Sequence, residues 1–225
     1  MAVALTKLDT DEVLRYMGCP PEQAKEDLRL QVERGTQQVQ RAAVPRWAYR
    51  VFAMAVEEEG VRLSCGLLLP GKDLKAHLSG CGQVVLFCAT LGAQVDALIR
   101  RAESEDMLQA LILDCAAAAA VEQVCDQIEG QLQRMFPEGH FPFRYSPGYG
   151  DLPLSLQGDL LALLDAPRRV GLTATSSHIL LPRKSVTAFL GVADWPVEGR
   201  VRSCVNCPAY QTCQYRKTGG HCGIS

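Results

Sequence analysis

The chain has 225 residues, 48% of them hydrophobic and 21% charged, and carries a formal net charge of −2. That length suits one domain of roughly 200 residues with a tail, or two small domains, and the composition excludes a disordered chain. A near-neutral balance without a long Lys/Arg run excludes the phosphate-neutralising surface of a nucleic-acid binder. The segment from Met1 to Asp9 lacks the basic-then-apolar order of a signal peptide, and no apolar run approaches the roughly 20 residues that cross a bilayer. A soluble cytoplasmic protein without membrane contact is expected.

In chain order, residues 21–42 mix Glu, Gln, Lys and Arg with Ala24, Leu28, Leu30, Val32 and Val39, which predicts a long surface helix with one apolar stripe. Val61, Leu63, Cys65, Leu67 and Leu69 recur with a period of two and predict a strand ending at Pro70-Gly71. Gly80-Cys81-Gly82 lacks the third glycine of a dinucleotide fingerprint and reads as a turn. The continuous apolar run from Val84 to Ala89 predicts a strand buried on both faces. Thr90-Leu91-Gly92 then leads to helical spacing at Val95, Leu98, Ile99 and Ala102.

The strongest predicted helix spans 108–135, with high propensity at Ala116 to Ala120 and apolar residues Val121, Val124, Cys125, Ile128, Leu132 and Met135 at steps of three and four. After a loop, Ser155 is placed to N-cap a helix that runs through Leu164 and is stopped by Pro167. Residues 179–181 and 186–192 predict a closing strand pair. The fold class is α+β, a mixed sheet with long packing helices and no internal repeat. The expected division is an N-terminal helical segment (1–45), a core (46–195) and a cysteine-rich tail (196–225).

Between the long helix and the next lies Arg144-Tyr145-Ser146-Pro147-Gly148-Tyr149-Gly150-Asp151. Pro147 disfavours a helical Ser146, Gly148 and Gly150 permit close backbone approach or positive φ, and Arg144 suits a bidentate carboxylate clamp. These parts suit a small-ligand cradle. A tight turn with Arg144 in water and the tyrosines on the core accounts for the same residues.

Arg-x-x-x-Gly-Tyr after a long Ala-rich helix resembles the signature of the activation domain of cobalamin-dependent methionine synthase. Pro153-Leu154-Ser155-Leu156-Gln157, the Leu160 to Asp165 helix, and Pro182-x-Lys184-Ser185-Val186-Thr187-Ala188-Phe189-Leu190-Gly191 resemble its compact, single-module branch. The likeness covers roughly Leu14 to Val192 and is strongest from Ala89 to Gly191. It implies a domain that binds S-adenosylmethionine and supports reductive methylation of oxidised cobalamin, as a methyltransferase component without turnover alone. It further implies that Arg144 holds the methionine carboxylate, that Tyr145, Ser146, Gly148 and the ring of Tyr149 frame the ligand, and that Glu122 lies near the amino group or the adenosine. Glu122, Asp126 and Glu129 also share one helical face, which suits plain solvation.

Two departures stand out. Large members carry an aromatic-containing hairpin after the Pro-x-x-Ser-Val segment, whereas here the chain runs straight from Val186 to Val192. The cobalamin signature Asp-x-His-x-x-Gly is absent, since Asp73 and His77 have the wrong spacing. Cobalamin is therefore expected on a partner, a methionine synthase subunit or another corrinoid protein, with an electron donor such as a flavodoxin or ferredoxin. The four histidines, His77, His140, His178 and His221, read as surface or loop residues.

Of ten cysteines, Cys19, Cys65, Cys81, Cys88, Cys115 and Cys125 read as buried thiols. Cys204-x-x-Cys207-x5-Cys213-x8-Cys222 has the two-residue gap that lets a first pair of sulfurs reach one metal. Disulfides are disfavoured in a cytosolic chain. An iron–sulfur cluster and a structural zinc both fit the spacing. A cluster would relay the electron that reductive activation consumes; a zinc tail would suit a non-catalytic metal-binding module that docks on a corrinoid methyltransferase.

Overall fold

In the computed structural model, residues 3–197 and residue 211 are described. Helix starts follow side-chain caps where the sequence supplies them. Asp9 opens α1 (Thr10–Tyr16) by accepting from the Asp11 N–H at 2.9 Å. The expected 21–42 helix divides, because Pro20 and Pro21 favour an extended entry: a 3-10 turn (Pro21–Gln23) precedes α2 (Glu26–Ala42).

The next strand was not anticipated. β1 (Arg46–Val56) is buried only at Ala48 and Phe52. The expected single strand over 61–69 is a hairpin, β2 (Gly60–Leu63) and β3 (Leu68–Pro70), paired antiparallel with Val61 opposite Leu69. Gly66, at φ +92, makes the reversal that a continuous strand would lack. Cys65 therefore sits exposed in the turn and Cys19 is half-buried, contrary to expectation, while Cys81, Cys88, Cys115 and Cys125 are buried.

A short helix that the sequence reading missed, α3 (Lys72–Leu78), buries Leu74, His77 and Leu78. β4 (Gln83–Thr90) is buried from Val84 onward, as its apolar run requires. α4 (Ala93–Glu105) follows, then α5 (Met107–Met135), capped by Asp106, which accepts from Leu108 and Gln109 N–H at 2.9 and 3.2 Å. By length and composition α5 could cross a bilayer, which corrects the expectation that no segment could. Its most apolar stretch is 61% buried within the protein, the pattern of a core helix.

A 3-10 turn (Leu154–Leu156) leads into α6 (Gln157–Leu164), so Ser155 lies inside the turn and does not cap the helix. Asp165, at φ +51, breaks the helix, and Pro167 then occupies the first turn of α7 (Ala166–Val170). Pro167 starts a helix, where it was expected to stop one.

β5 (Thr173–Ala174) pairs with β6 (Leu180–Leu181) in a small ribbon, and β7 (Ser185–Val192) joins the larger sheet. The expected partnership of 179–181 with 186–192 is thus replaced by one with Thr173–Ala174. The larger sheet has the order β3-β2-β1-β4-β7. Its antiparallel sense follows from Val44 N–H to Leu91 O and Met54 N–H to Gly82 O on one side of β4, and Leu91 N–H to Lys184 O and Gly82 N–H to Val192 O on the other. The architecture is α+β.

Two compact units divide the chain. The first comprises 1–48, 88–131 and 157–186. Within it Gly35 of α2 faces Ile112 of α5 so closely that a Cβ would collide with the Ile112 methyl. Its N-terminal segment is tied down by glutamines: Thr6 N–H donates to Gln123 Oε1, and Gln127 Nε2 to Ala4 O, both at 2.9 Å. The second unit comprises 49–87, 132–156 and 187–225. It contains the hairpin, α3 and the Arg144 loop.

Candidate functional site

The Arg144 loop is built on the edge of β7. His140 pairs with Ala193 and Tyr145 with Phe189, both antiparallel. Five steps on one side answer four on the other, so residues 140–145 follow β7 with one extra residue, as in a bulge. Gly191 makes this approach possible, since a Cβ there would stand 2.7 Å from Cys81 Sγ and 3.0 Å from Pro142.

Arg144, at the end of this track, is only 4% exposed. A guanidinium stays charged under burial, so acceptors or an anion must surround it. Tyr145 is 7% exposed, and its backbone N–H and C=O both bond Phe189, at 2.9 and 2.7 Å. Beyond it the chain turns: Tyr149 N–H donates to Ser146 O at 3.1 Å, and Gly148 N–H to Leu152 O at 2.8 Å. Gly148 takes φ +92 and Gly150 φ +50, and a Cβ on Gly150 would meet the Asp73 carboxylate and the Tyr145 hydroxyl. Both positions favour glycine. Gly148 and Tyr149 are exposed and Ser146 half-buried, so the loop presents an outward rim above a buried cation.

Aromatic rings and carboxylates set the electrostatics. The His77 ring lies 4.4 Å from that of Phe143 and 5.0 Å from that of Tyr145, and Tyr149 meets Tyr145 edge-on at 5.7 Å. Burial, and then the charges of Asp73 and Asp151, push the Tyr145 phenol up to about 12. Asp151 accepts from the N–H groups of Lys72 and Asp73 at 2.6 and 3.2 Å, and Asp73 Oδ2 accepts from Asp151 N–H at 3.2 Å.

The structure thus brings Arg144, Tyr145, Ser146, Gly148 and Tyr149 together in one loop of the second unit, while Glu122 belongs to the first. Glu122 is half-buried on α5. Its charge and that of Asp126 reach Glu12 of α1, whose carboxyl is raised chiefly by burial against the opposing pull of Arg15. His77, expected at the surface, is buried on α3 because its Nε2 bonds the Phe143 carbonyl oxygen at 2.7 Å. The Pro182 to Val186 motif has structural work in the first unit. Lys184 Nζ bonds Asp114 Oδ1 and Asp114 O, both at 2.9 Å, and the Ser185 hydroxyl bonds Thr90 Oγ1 at 2.8 Å.

Sequence reasoning missed Asp73, His77 and the capping role of Asp151. The signal was Gly71 followed by Asp73, Leu74, His77 and Leu78 at helical steps. Cys204, Cys207, Cys213 and Cys222 lie outside the described residues. Among the described residues no group of three or more His, Cys, Asp or Glu side chains could hold a metal. A surface cavity of about 330 Å³ between Lys7, Thr10, Glu26, Arg29, Leu30 and Glu33 is a weaker candidate. Its Arg29 is already spent on Asp11 at 2.7 Å and on the Pro21 carbonyl.

No protein-family model and no curated protein matches the chain. Among solved structures it is similar to the MetH reactivation domain bound to AdoHcy, at 15% identity and a TM-score of 0.62, over 96% of this chain and 82% of that one. The fold of this chain is that of the methionine synthase activation domain which its Arg144 loop resembles.

Proposed function

We infer that this chain is an S-adenosylmethionine-binding activation module that supports reductive methylation of cobalamin carried by a partner, a methionine synthase subunit or related corrinoid protein. One observation carries the reading: a cation only 4% exposed stands at the head of a two-glycine loop, in a chain with the fold of a domain solved with AdoHcy. In this reading Arg144 clamps the amino-acid carboxylate bidentately, as a planar fork of donors favours. Ser146 and Gly148 let the ligand approach the backbone, the sheet-bound Tyr145 fixes the loop, and the exposed ring of Tyr149 covers the ligand.

S-adenosylmethionine supplies the methyl group, and its sulfur keeps the C–S electron pair and leaves as the neutral thioether. One electron from a donor such as a flavodoxin or ferredoxin supplies the reduction that oxidised cobalt requires. Cys204, Cys207, Cys213 and Cys222 are assigned an iron–sulfur cluster that relays this electron, with a structural zinc as the alternative. A brown anaerobic preparation absorbing broadly near roughly 400 nm supports the cluster; a colourless, zinc-loaded one removes the relay.

Calorimetry on anaerobically purified protein tests the binding step. Arg144→Ala is expected to weaken S-adenosylmethionine or AdoHcy by about 1.5–3 kcal/mol, the usual cost of a lost charged hydrogen bond. No binding by the unaltered chain, or binding indifferent to Arg144→Ala, overturns the reading.

A further inference from the structure

Both ends of the Arg144 loop are held by one face of α3. At the entry, His77 Nε2 bonds the carbonyl oxygen of Phe143, the residue just before Arg144, at 2.7 Å. That carbonyl can only accept, so His77 Nε2 carries the proton and donates. At the exit, Asp151 and the first turn of α3 hold each other: the Asp151 carboxylate takes the Lys72 and Asp73 N–H groups, and the Asp73 carboxylate takes the Asp151 N–H. Asp73 and His77 are four residues apart, hence on the same face of the helix. Between these two anchors the Tyr145 ring lies against the His77 ring at 5.0 Å. α3 itself packs on β2 and β3.

We propose that Asp73, His77 and Asp151 are positioning residues for ligand recognition: α3 is a clamp that fixes the backbone at both ends of residues 144–151 and so aims the Arg144 guanidinium. The proposal rests on the reading of this loop as the S-adenosylmethionine site. A bidentate clamp needs its fork fixed in position and plane, and beyond Tyr145, which pairs with Phe189, the loop leaves β7. The two α3 anchors add to what the loop's own turns supply, and turns alone open at little cost. None of the three residues needs to touch the ligand.

The test uses the full chain in four forms: unaltered, His77→Leu, His77→Gln and Asp151→Ala. Asp151 is exposed, so its removal leaves the core intact. Amide hydrogen exchange is read in the loop and in β4, and AdoHcy affinity by calorimetry. The Leu and Ala variants are expected to exchange about tenfold faster over 143–152 with β4 unmoved, and to bind AdoHcy about tenfold more weakly. His77→Gln, whose amide restores an N–H donor, is expected to recover both. Unchanged loop exchange and affinity in His77→Leu and Asp151→Ala overturn the clamp, and so does acceleration shared by β4 that Gln fails to reverse. If the unaltered chain does not bind AdoHcy, the binding reading falls and loop exchange alone decides on the clamp. If Arg144→Ala loses binding while the α3 variants keep it, the clamp alone falls.

Discussion

Tyr145 shows how one side chain can report on the state of the candidate site. Its ring is buried against His77, its backbone is paired with Phe189, and its phenol is pushed up to about 12 by burial and by Asp73 and Asp151. In the unfolded chain the same phenol ionises near 10, its ordinary value (~10). Between those two values the unfolded chain binds fewer protons than the folded one, so stability falls as pH rises. The contribution is complete below about pH 10 and is lost as pH passes about 12. Tyr145→Phe keeps the ring contacts and removes the titration. Urea midpoints measured from pH 9 upward are expected to decline less steeply in the variant than in the unaltered protein. Parallel slopes would mean that the phenol meets water freely, which would also weaken the case for a dry base beneath the loop.

At the scale of elements, helices α2 and α5 meet through a glycine, and a test follows from the sign of its effect. Glycine inside an exposed helix costs about 1 kcal/mol relative to alanine, so Gly35→Ala would stabilise α2 if nothing faced it. Here the added Cβ collides with the Ile112 methyl, and overpacking of that kind costs about 1–3 kcal/mol. The net expectation is destabilisation, read as a lower denaturation midpoint. In an Ile112→Ala background the colliding methyl is gone, and Gly35→Ala is then expected to be neutral or stabilising. A double-mutant cycle without that coupling would mean the helices are farther apart.

The same scale explains what the sequence could tell. β4 was legible because it is buried from Val84 onward and so runs apolar without interruption, and α5 because its buried residues recur at steps of three and four. β1 was not, because Trp47, Tyr49, Val51, Ala53 and Ala55 on one face are as apolar as Ala48, Phe52, Met54 and Val56 on the other, which erases a period of two. The β2–β3 hairpin hid inside a false alternation in which Cys65 counted as buried, and Gly66 was the clue. The Arg144 loop stood out by its composition, a cation, a proline and two glycines together, but a tight turn accounts for the same residues, and only the family resemblance favoured a ligand cradle. Its anchors were not legible, because Asp73 and His77 stand 78 and 66 residues from their partners Asp151 and Phe143, and no local pattern links them.

For the whole molecule, the question is whether ligand and metal chemistry share one site. The hydrogen bonds described for Phe143, Tyr145 and Asp151 end on residues between Lys72 and Phe189. If the tail's role is to pass an electron, it acts on the partner's cobalt and contributes nothing to the grip on the amino-acid carboxylate. Cys204→Ser with Cys207→Ser is then expected to abolish bound metal, measured by elemental analysis, and reactivation of a captured corrinoid partner. AdoHcy affinity by calorimetry is expected to stay within about twofold, as for independent sites. A loss of affinity together with the metal would mean that the two sites are coupled.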